Sequence, residues 1–289
     1  MKKIIIGFLL GVGAFGLFSM KSQVQQAGLT PGQQAVLNRL SVVQIPDGQG
    51  GTVEALRVTS NFQVVNGLGY TDTTNALGNL IVGYSDTNGD VRTGSHNFVL
   101  GNNHTFGSHS SIIAGLDNSV LTENSAILSG LNNIIHAGAQ RSAILSGNGN
   151  QLLIGGLESA IISGESNAIS SDRAAVVAGR FNIIDGTAPD INSGRWSVIV
   201  GGGGGAINGN INAASVSVLV GGSQNIMNDG ISSSVLVGGQ TNRVAATTSV
   251  VVGGHFNQTN AAYSVISGGA NRTADDDEDW VAGSLVEDN

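Results

Sequence analysis

From residue 78 onward the chain repeats a short unit, and this repeat constrains the fold more than any other feature. The unit reads Ser, any residue, two aliphatic residues, a small residue, Gly, any two residues and Asn; residues 125–133 and 249–257 match it position by position. One glycine marks each of thirteen copies, at intervals of 14 to 23 residues: Gly83, Gly101, Gly115, Gly130, Gly147, Gly164, Gly179, Gly202, Gly222, Gly239, Gly254, Gly269 and Gly283.

The length of the repeat selects the architecture. A period of about 15 residues is too short for helical-pair repeats of about 33 residues or propeller blades of about 40. It fits one coil of two short strands and two turns. The first strand is apolar throughout, as in residues 218–220, whereas the second pairs a polar with an apolar residue, as in Arg243-Val244. We therefore predict an all-β parallel solenoid of about 13 coils over residues 78–284.

The glycines and asparagines are expected to form the turns. Gly occupies 44 of 289 positions and Pro only 3, which excludes collagen. Gly adopts positive φ without strain, and Asn three residues later is expected to tolerate the left-handed region. Stacked coils would align Asn118 and its equivalents into a hydrogen-bonded ladder. The predicted turn and ladder positions are Gly130, Asn133, Gly147, Asn150, Gly164, Asn167, Gly179, Asn182, Gly239, Asn242, Gly254 and Asn257.

The first strand predicts an oligomer. Side chains alternate along a strand, so a run such as Val250-Val251-Val252 presents apolar residues to both faces. A coil of two strands encloses one interior, which accounts for one face only. The other face needs a partner.

At these residues the sequence resembles the head domains of YadA-type trimeric autotransporter adhesins, with their haemagglutinin-like repeats. Coils of that family carry Ser-Val-Ala-Ile-Gly-like strands followed by Ser or Asn. The resemblance covers residues 78 to about 284 and implies a left-handed parallel β-roll, a homotrimer and a role in cell adhesion. The C-terminal membrane anchor of the family is expected to be missing, with residues 285–289 as a short tail.

The N-terminal segment predicts export. Lys2 and Lys3 precede an uncharged apolar run over residues 4–18, as in a secretory signal peptide. We assign residues 1–22 to this signal, with a retained N-terminal anchor as the alternative, and expect an extracellular or cell-surface location.

Residues 23–77 are expected to form a short helix and capping strands. A capping box at Thr30 and Gln33 predicts a helix from Pro31 to about Val43. Its apolar seam would begin a coiled coil or pack on its own chain. Strands are expected over residues 52–59 and 62–65.

Composition argues against several functions. The net charge is −8, and all three lysines lie within the first 21 residues, which disfavours nucleic acid as a partner. Cys is absent, and neither a catalytic motif nor a cofactor-binding motif occurs. We expect a protein that is not an enzyme and has no cofactor.

Binding residues are expected in the two longest intervals, 179–202 and 202–222. Their extra residues exceed one coil and are predicted to protrude, and insertions on one face of a solenoid often bind partners. The candidates are Asp185, Asp190, Arg195 and Trp196. An exposed Trp stacks on sugars or anchors protein contacts, whereas the alternative is a Trp packed over the adjacent coil. The expected partners are a glycan, an extracellular-matrix protein or a cell-surface receptor.

Other motifs are weaker. Residues 86–90 offer three ligands of a calcium loop but lack its Gly and Glu, so a polar turn is expected. His96, His104 and His109 could converge on a metal, although surface histidines are the favoured interpretation, and no metal site is predicted. The glycines at 201–205 lack the residues that complete a phosphate loop. The acidic run 275–279 is expected to be a solvated cap.

Three other classes of protein share features with this sequence. A polysaccharide-acting β-helix enzyme would have longer coils and a charged groove, and a phage-tail-spike-like protein would lack an export signal. An ice-binding solenoid would repeat Thr-x-Thr in register, and that motif occurs only at residues 71–73.

Overall fold

The computed structural model describes residues 29–84, 90–186, 193–204, 209–283 and 285–287. The predicted signal peptide, residues 1–22, lies outside these ranges. The chain divides into two compact units, with the boundary between Gln63 and Val64. Among the described helices, none has the length and apolarity needed to cross a membrane.

The first unit contains a helix, α1 (Pro31–Leu37), which begins as predicted. Thr30 Oγ1 accepts a hydrogen bond from Gln33 N at 3.3 Å, and Gln33 Oε1 accepts one from Thr30 N at 2.8 Å. This capping box satisfies two amides of the first turn that have no partner within the helix.

The helix is shorter than predicted. It ends at Leu37, because β1 (Leu40–Pro46) follows at once and pairs antiparallel with β2 (Thr52–Val58). The β-branched residues of β1 favour the strand, so Leu40 and Val43 do not form the predicted helical seam. Residues 62–65 are not a strand.

The second unit is a parallel β-solenoid, which confirms the predicted all-β fold. Its strands in the described part of the chain are β3 (Leu80–Val82), β4 (Phe98–Asn102), β5 (Thr105–Phe106), β6 (Ile112–Leu116), β7 (Ser119–Val120), β8 (Ala126–Ile127), β9 (Ile134–Ile135), β10 (Ala143–Ile144), β11 (Gln151–Leu152), β12 (Ala160–Ile161), β13 (Ala168–Ile169), β14 (Ala175–Val176), β15 (Ile183–Ile184), β16 (Val198–Val200), β17 (Ile211–Asn212), β18 (Val218–Val220), β19 (Ile226–Met227), β20 (Val235–Val237), β21 (Arg243–Val244), β22 (Val250–Val252), β23 (Gln258–Thr259), β24 (Val265–Ile266), β25 (Thr273–Ala274), β26 (Trp280–Ala282) and β27 (Leu285–Glu287).

The strands form two long sheets with equivalent residues of successive coils in register. The first sheet contains β3, the even-numbered strands β4 to β26, and β27, which pairs antiparallel with β26. The second sheet contains the odd-numbered strands β5 to β25. Ile144, for example, pairs with Ile127 on one side and Ile161 on the other. The thirteen described parallel strands of the first sheet are separated by about twelve turns of the solenoid.

The core is one column of aliphatic side chains from each sheet. Ile127 and Ile144 from the first sheet, and Ile135 and Leu152 from the second, are fully buried. Residues on either side of each inward residue point outward, because side chains alternate along a strand. In the first sheet these outward residues are also apolar, and Val237 and Val252 are 37% and 47% exposed.

The marker glycines meet two requirements at once. All thirteen have positive φ, as predicted; Gly130, for example, has φ 100°. A Cβ on Gly130 would overlap the carbonyl oxygen of Gly147 in the next coil. A larger residue is therefore excluded both by backbone conformation and by the stacking of coils.

An asparagine lies three residues after eight of the thirteen marker glycines, and it does not adopt the left-handed conformation, contrary to the prediction. The residue before it does: Asn132, at φ 54°, precedes Asn133. The other turn has the same pattern, with Arg141, at φ 58°, before Ser142. Each coil therefore places a left-handed corner residue just before a buried polar residue, so that this polar side chain points inward.

These asparagines form a continuous buried ladder, which we call the asparagine row. Asn150 N and Nδ2 both donate to Asn133 Oδ1, at 3.0 and 3.1 Å, and Asn150 Nδ2 also donates to Gly164 O at 2.9 Å. Along the row the amide-to-Oδ1 distances are 2.8–3.2 Å. Its members are Asn118, Asn133, Asn150, Asn167, Asn182, Asn210, Asn225, Asn242 and Asn257.

A second ladder, the serine row, stabilises the opposite turn, and the sequence reasoning missed it. Ser159 N donates to Ser142 Oγ at 3.0 Å, and Ser142 Oγ donates to Gly156 O at 2.7 Å. The serine that opens each repeat therefore satisfies backbone groups of the neighbouring coils. Its members are Ser111, Ser125, Ser142, Ser159, Ser197, Ser217, Ser234, Ser249 and Ser264.

The asparagine row predicts a large effect of Asn150→Ala. This change leaves the buried amide of Asn167 without its acceptor, which lies at 3.0 Å. We expect a loss of about 3 kcal/mol in the free energy of unfolding, measured by urea denaturation. The control Asn148→Ala removes an exposed asparagine of the same turn and should change stability by less than about 0.5 kcal/mol. Equal effects of the two changes would show that the row does not stabilise the fold.

Candidate functional site

The described binding candidates lie within the coils and not in protruding loops, so that part of the prediction is wrong. The amide of Asp185 donates to Asn212 O at 3.1 Å, as in an ordinary coil. Trp196, at φ 52°, occupies the corner position that Arg141 occupies in an earlier coil. Asp190 lies outside the described residues.

Charged side chains form a line along this edge of the solenoid, which we call the arginine–tryptophan edge. Arg141 Nη2 lies 2.8 Å from Glu158 Oε1, and Arg173 Nε lies 2.9 Å from Glu158 Oε2. These three residues occupy the same corner position in successive coils. Because the coils stack in register, alternating charges at this position meet directly.

The line continues to the tryptophan. Asp172 accepts from Arg173 Nη1 at 2.9 Å and pairs with Arg195 Nε at 2.5 Å. The guanidinium carbons of Arg195 and Arg173 lie 4.5 and 5.7 Å from the Trp196 ring centroid, within cation–π range. Trp196 is nevertheless 49% exposed. The ion pairs fix the arginines, and the arginines orient an aromatic ring that is still accessible.

A polar cleft of about 340 Å³ adjoins this edge through Arg195. Near it, Asp185 Oδ1 accepts from Ser170 Oγ at 3.4 Å. A cleft lined by hydroxyl, carboxylate and guanidinium groups beside an exposed aromatic ring suits a ligand rich in hydroxyl groups. The lining residues are Gly138, Gly155, Leu157, Ser170, Ser171, Asp172, Gly186, Ser193 and Arg195.

The sequence reasoning found Arg195 and Trp196 but missed their supporting residues. Arg141, Glu158 and Arg173 are separated by 17 and 15 residues, which are coil intervals, and each immediately precedes the first position of a repeat. Charges of alternating sign at coil intervals are the sequence pattern from which this line of ion pairs could have been predicted.

A second concavity, also missed, lies on the outer face of the second sheet. There the usually polar outward positions become apolar at Ala168, Ile183, Ile211 and Ile226. With Phe181 they line a groove of about 540 Å³. Its rim consists of Ser166, Gly209, Gln224 and Thr241.

The residues proposed above as possible metal ligands do not form a metal site in the described part of the chain. In the described residues no group of three or more His, Cys, Asp or Glu side chains is placed to hold a metal ion. Four of the five residues of the possible calcium loop, 86–89, lie outside the described ranges. His104 is buried in the solenoid, whereas His96 and His109 lie at its turns.

The arginine–tryptophan edge also lowers the pKa of one carboxyl group. The pKa of Glu158 is lowered from its ordinary value of 4.5, mainly by the hydrogen bond from Arg141 and also by the charge of Arg173. Its carboxylate is therefore favoured in the folded state.

No protein-family model matches the sequence, and no curated protein matches it at a significant level.

The lowered pKa of Glu158 predicts a pH-dependent contribution to stability. A carboxyl group with a lowered folded-state pKa stabilises the fold above its unfolded pKa and loses this effect as pH falls through the folded value. Glu158→Gln should therefore lower the melting temperature at pH 7, and its difference from wild type should shrink as the pH falls below the ordinary value of 4.5. The control Glu123→Gln removes a carboxylate with no ion pair in the described part of the chain. A difference for Glu158→Gln that does not change as the pH is lowered would contradict a stabilising role of these ion pairs.

Proposed function

We propose that the protein is an exported, non-enzymatic surface or extracellular protein that acts as an adhesin-like or structural rod. The observation that carries this proposal is the outward face of the first sheet, which is apolar along successive coils and exposed in the single chain. Soluble chains rarely leave a long contiguous apolar surface without a partner. The exposed residues include Leu128, Ile162, Val177, Val200, Val237 and Val252.

The proposed partner for this face is two further copies of the chain. Equivalent outward residues stack in register, as Val237 does on Val220 and Val252, so the apolar strip runs parallel to the stacking direction. Three such strips can close around a common axis and bury one another, whereas in the second sheet the run of apolar outward residues is confined to four coils, from Ala168 to Ile226, with polar residues on either side. Closed symmetry uses the same surface on every copy and leaves none of it exposed. This arrangement agrees with the resemblance to trimeric adhesin heads.

The proposed contact surface for other molecules is the arginine–tryptophan edge. The exposed Trp196 ring and the adjoining polar cleft suit a glycan, including one carried by a matrix protein or a cell-surface receptor. A trimer would present three such sites on one rigid body, so weak individual contacts would add to a higher avidity. The net charge of −8 supports the expectation that nucleic acid is not a partner.

The trimer predicts the effect of the double change Val237→Asp and Val252→Asp. Charges on the outward face should prevent association, because each would be buried without a partner at the interface. Light scattering of the purified wild-type chain should give three times the chain mass, and the variant should give one. The control Ile154→Asp places a charge at a turn residue that is 75% exposed and should leave the trimer intact. A wild-type chain that is monomeric at micromolar concentration would overturn the proposal.

The contact surface predicts the effect of Trp196→Asn on binding. On an array of glycans and matrix proteins, we expect this change to lower binding at least tenfold without changing the oligomeric state. Asn tolerates the left-handed conformation of this corner. The matched control Tyr263→Asn alters another exposed aromatic residue at the same corner position, where φ is 59°, and should bind as wild type does. Equal binding by wild type and Trp196→Asn would exclude this edge as the contact.

A further inference from the structure

In the described part of the chain, a histidine precedes the asparagine row. His104 follows Gly101 by three residues, the spacing that places eight of the nine asparagines in the row. Its side chain is 3% exposed and lies directly before Asn118 in the ladder. One titratable side chain therefore occupies a position that nine neutral asparagines occupy in later coils.

The imidazole ring reproduces the hydrogen bonds of an asparagine. His104 Nδ1 lies 3.3 Å from the amide nitrogen of Asn118, and His104 Nε2 lies 3.1 Å from Leu100 O. Asn118 makes the corresponding bonds: its Oδ1 accepts from Asn133 N at 2.8 Å, and its Nδ2 donates to Ala114 O at 2.7 Å.

These partners require one form of the ring. A carbonyl oxygen can only accept and a backbone amide can only donate, so Nε2 carries the proton and Nδ1 accepts. This ring is neutral. Protonation would place a second N–H at Nδ1, opposite the N–H of Asn118, and would leave two buried donors facing each other. The amide side chains of the asparagine row, unlike an imidazole, do not gain a proton when the pH falls into the range where histidine becomes charged.

Among the described residues, the lining of the small cavity beside His104 contains no carboxylate. A small cavity of about 30 Å³ beside the ring is lined by Ile81 and Tyr84 of the preceding coil, by Arg92, and by Val99, Gly101 and Phe106 of its own coil. Arg92, the charged residue of this lining, pairs with Asp90 at 2.8 Å. On the side of the next coil, the ring faces the backbone amide of the neutral Asn118. An imidazolium here would meet this N–H donor.

We propose that His104 is an acid-sensitive latch for the first coils of the solenoid. When neutral, it joins the coil that contains β4 and β5 to the asparagine row. When it is protonated, this connection is lost and the first coils open, while the coils joined by asparagine remain closed. This inference does not depend on the proposed adhesive function.

Hydrogen exchange of the full chain tests the latch. Exchange rates at pH 7.5 and pH 5.0, corrected for the intrinsic effect of pH, should show at least a tenfold loss of protection at pH 5.0 over residues 98–106. Residues 143–184 should keep their protection. His104→Asn should fold, because Asn occupies the equivalent position in nine coils, and should show no such loss. The control His109→Asn, at a neighbouring turn, should respond to acid as wild type does.

Two results would overturn the proposal. The first is unchanged protection of residues 98–106 at pH 5.0 in the wild-type chain, and the second is the same acid-induced loss in His104→Asn. If His104→Asn does not fold, the ring nitrogen chemical shifts of wild-type His104 decide the question. A neutral ring with its proton on Nε2 at pH 7.5 is expected, and a ring protonated on both nitrogens would exclude the latch.

Discussion

The solenoid depends on the hydrogen bonds that its buried asparagines make between coils. Each coil has only about two inward aliphatic side chains, and the conformational entropy of about 15 residues opposes its ordering. One asparagine satisfies its own coil, the previous coil and the next: Asn150 donates to Asn133 Oδ1 and Gly164 O and accepts from Asn167. A coil thus depends on its neighbours in the stack, as is typical of repeat proteins.

The surface properties follow from this ladder. To direct the polar side chain inward, the residue before it takes the left-handed conformation, and that corner residue points to solvent. Corner residues of successive coils therefore stack, which is how Arg141, Glu158 and Arg173 form a line of ion pairs that leads to Trp196. The same register stacks the outward valines of the first sheet into an apolar strip. Thus one internal constraint sets the geometry of both the proposed contact surface and the proposed trimer face.

The sequence was sufficient for much of the fold because the repeat encodes it locally. The glycine interval predicted the coils, and the pairing of a polar with an apolar residue predicted which side of the second strand of each coil is buried. It was insufficient where neighbouring elements decide the outcome. The predicted helix continued to Val43 because helical spacing was present, but strand pairing with residues 52–58 determines the structure there. The corner position was misassigned by one residue because φ is set by how the coil closes, and the serine row was missed because serine is common at turns in any case.

Buried asparagine side chains, and not burial of aliphatic residues alone, hold successive coils together. This can be tested by NMR at neutral pH, through the exchange of the side-chain amide protons. The Nδ2 protons of Asn133, Asn150, Asn167 and Asn182 should persist long after those of the exposed Asn148 have exchanged. Exchange of the row at the same rate as Asn148 would contradict it.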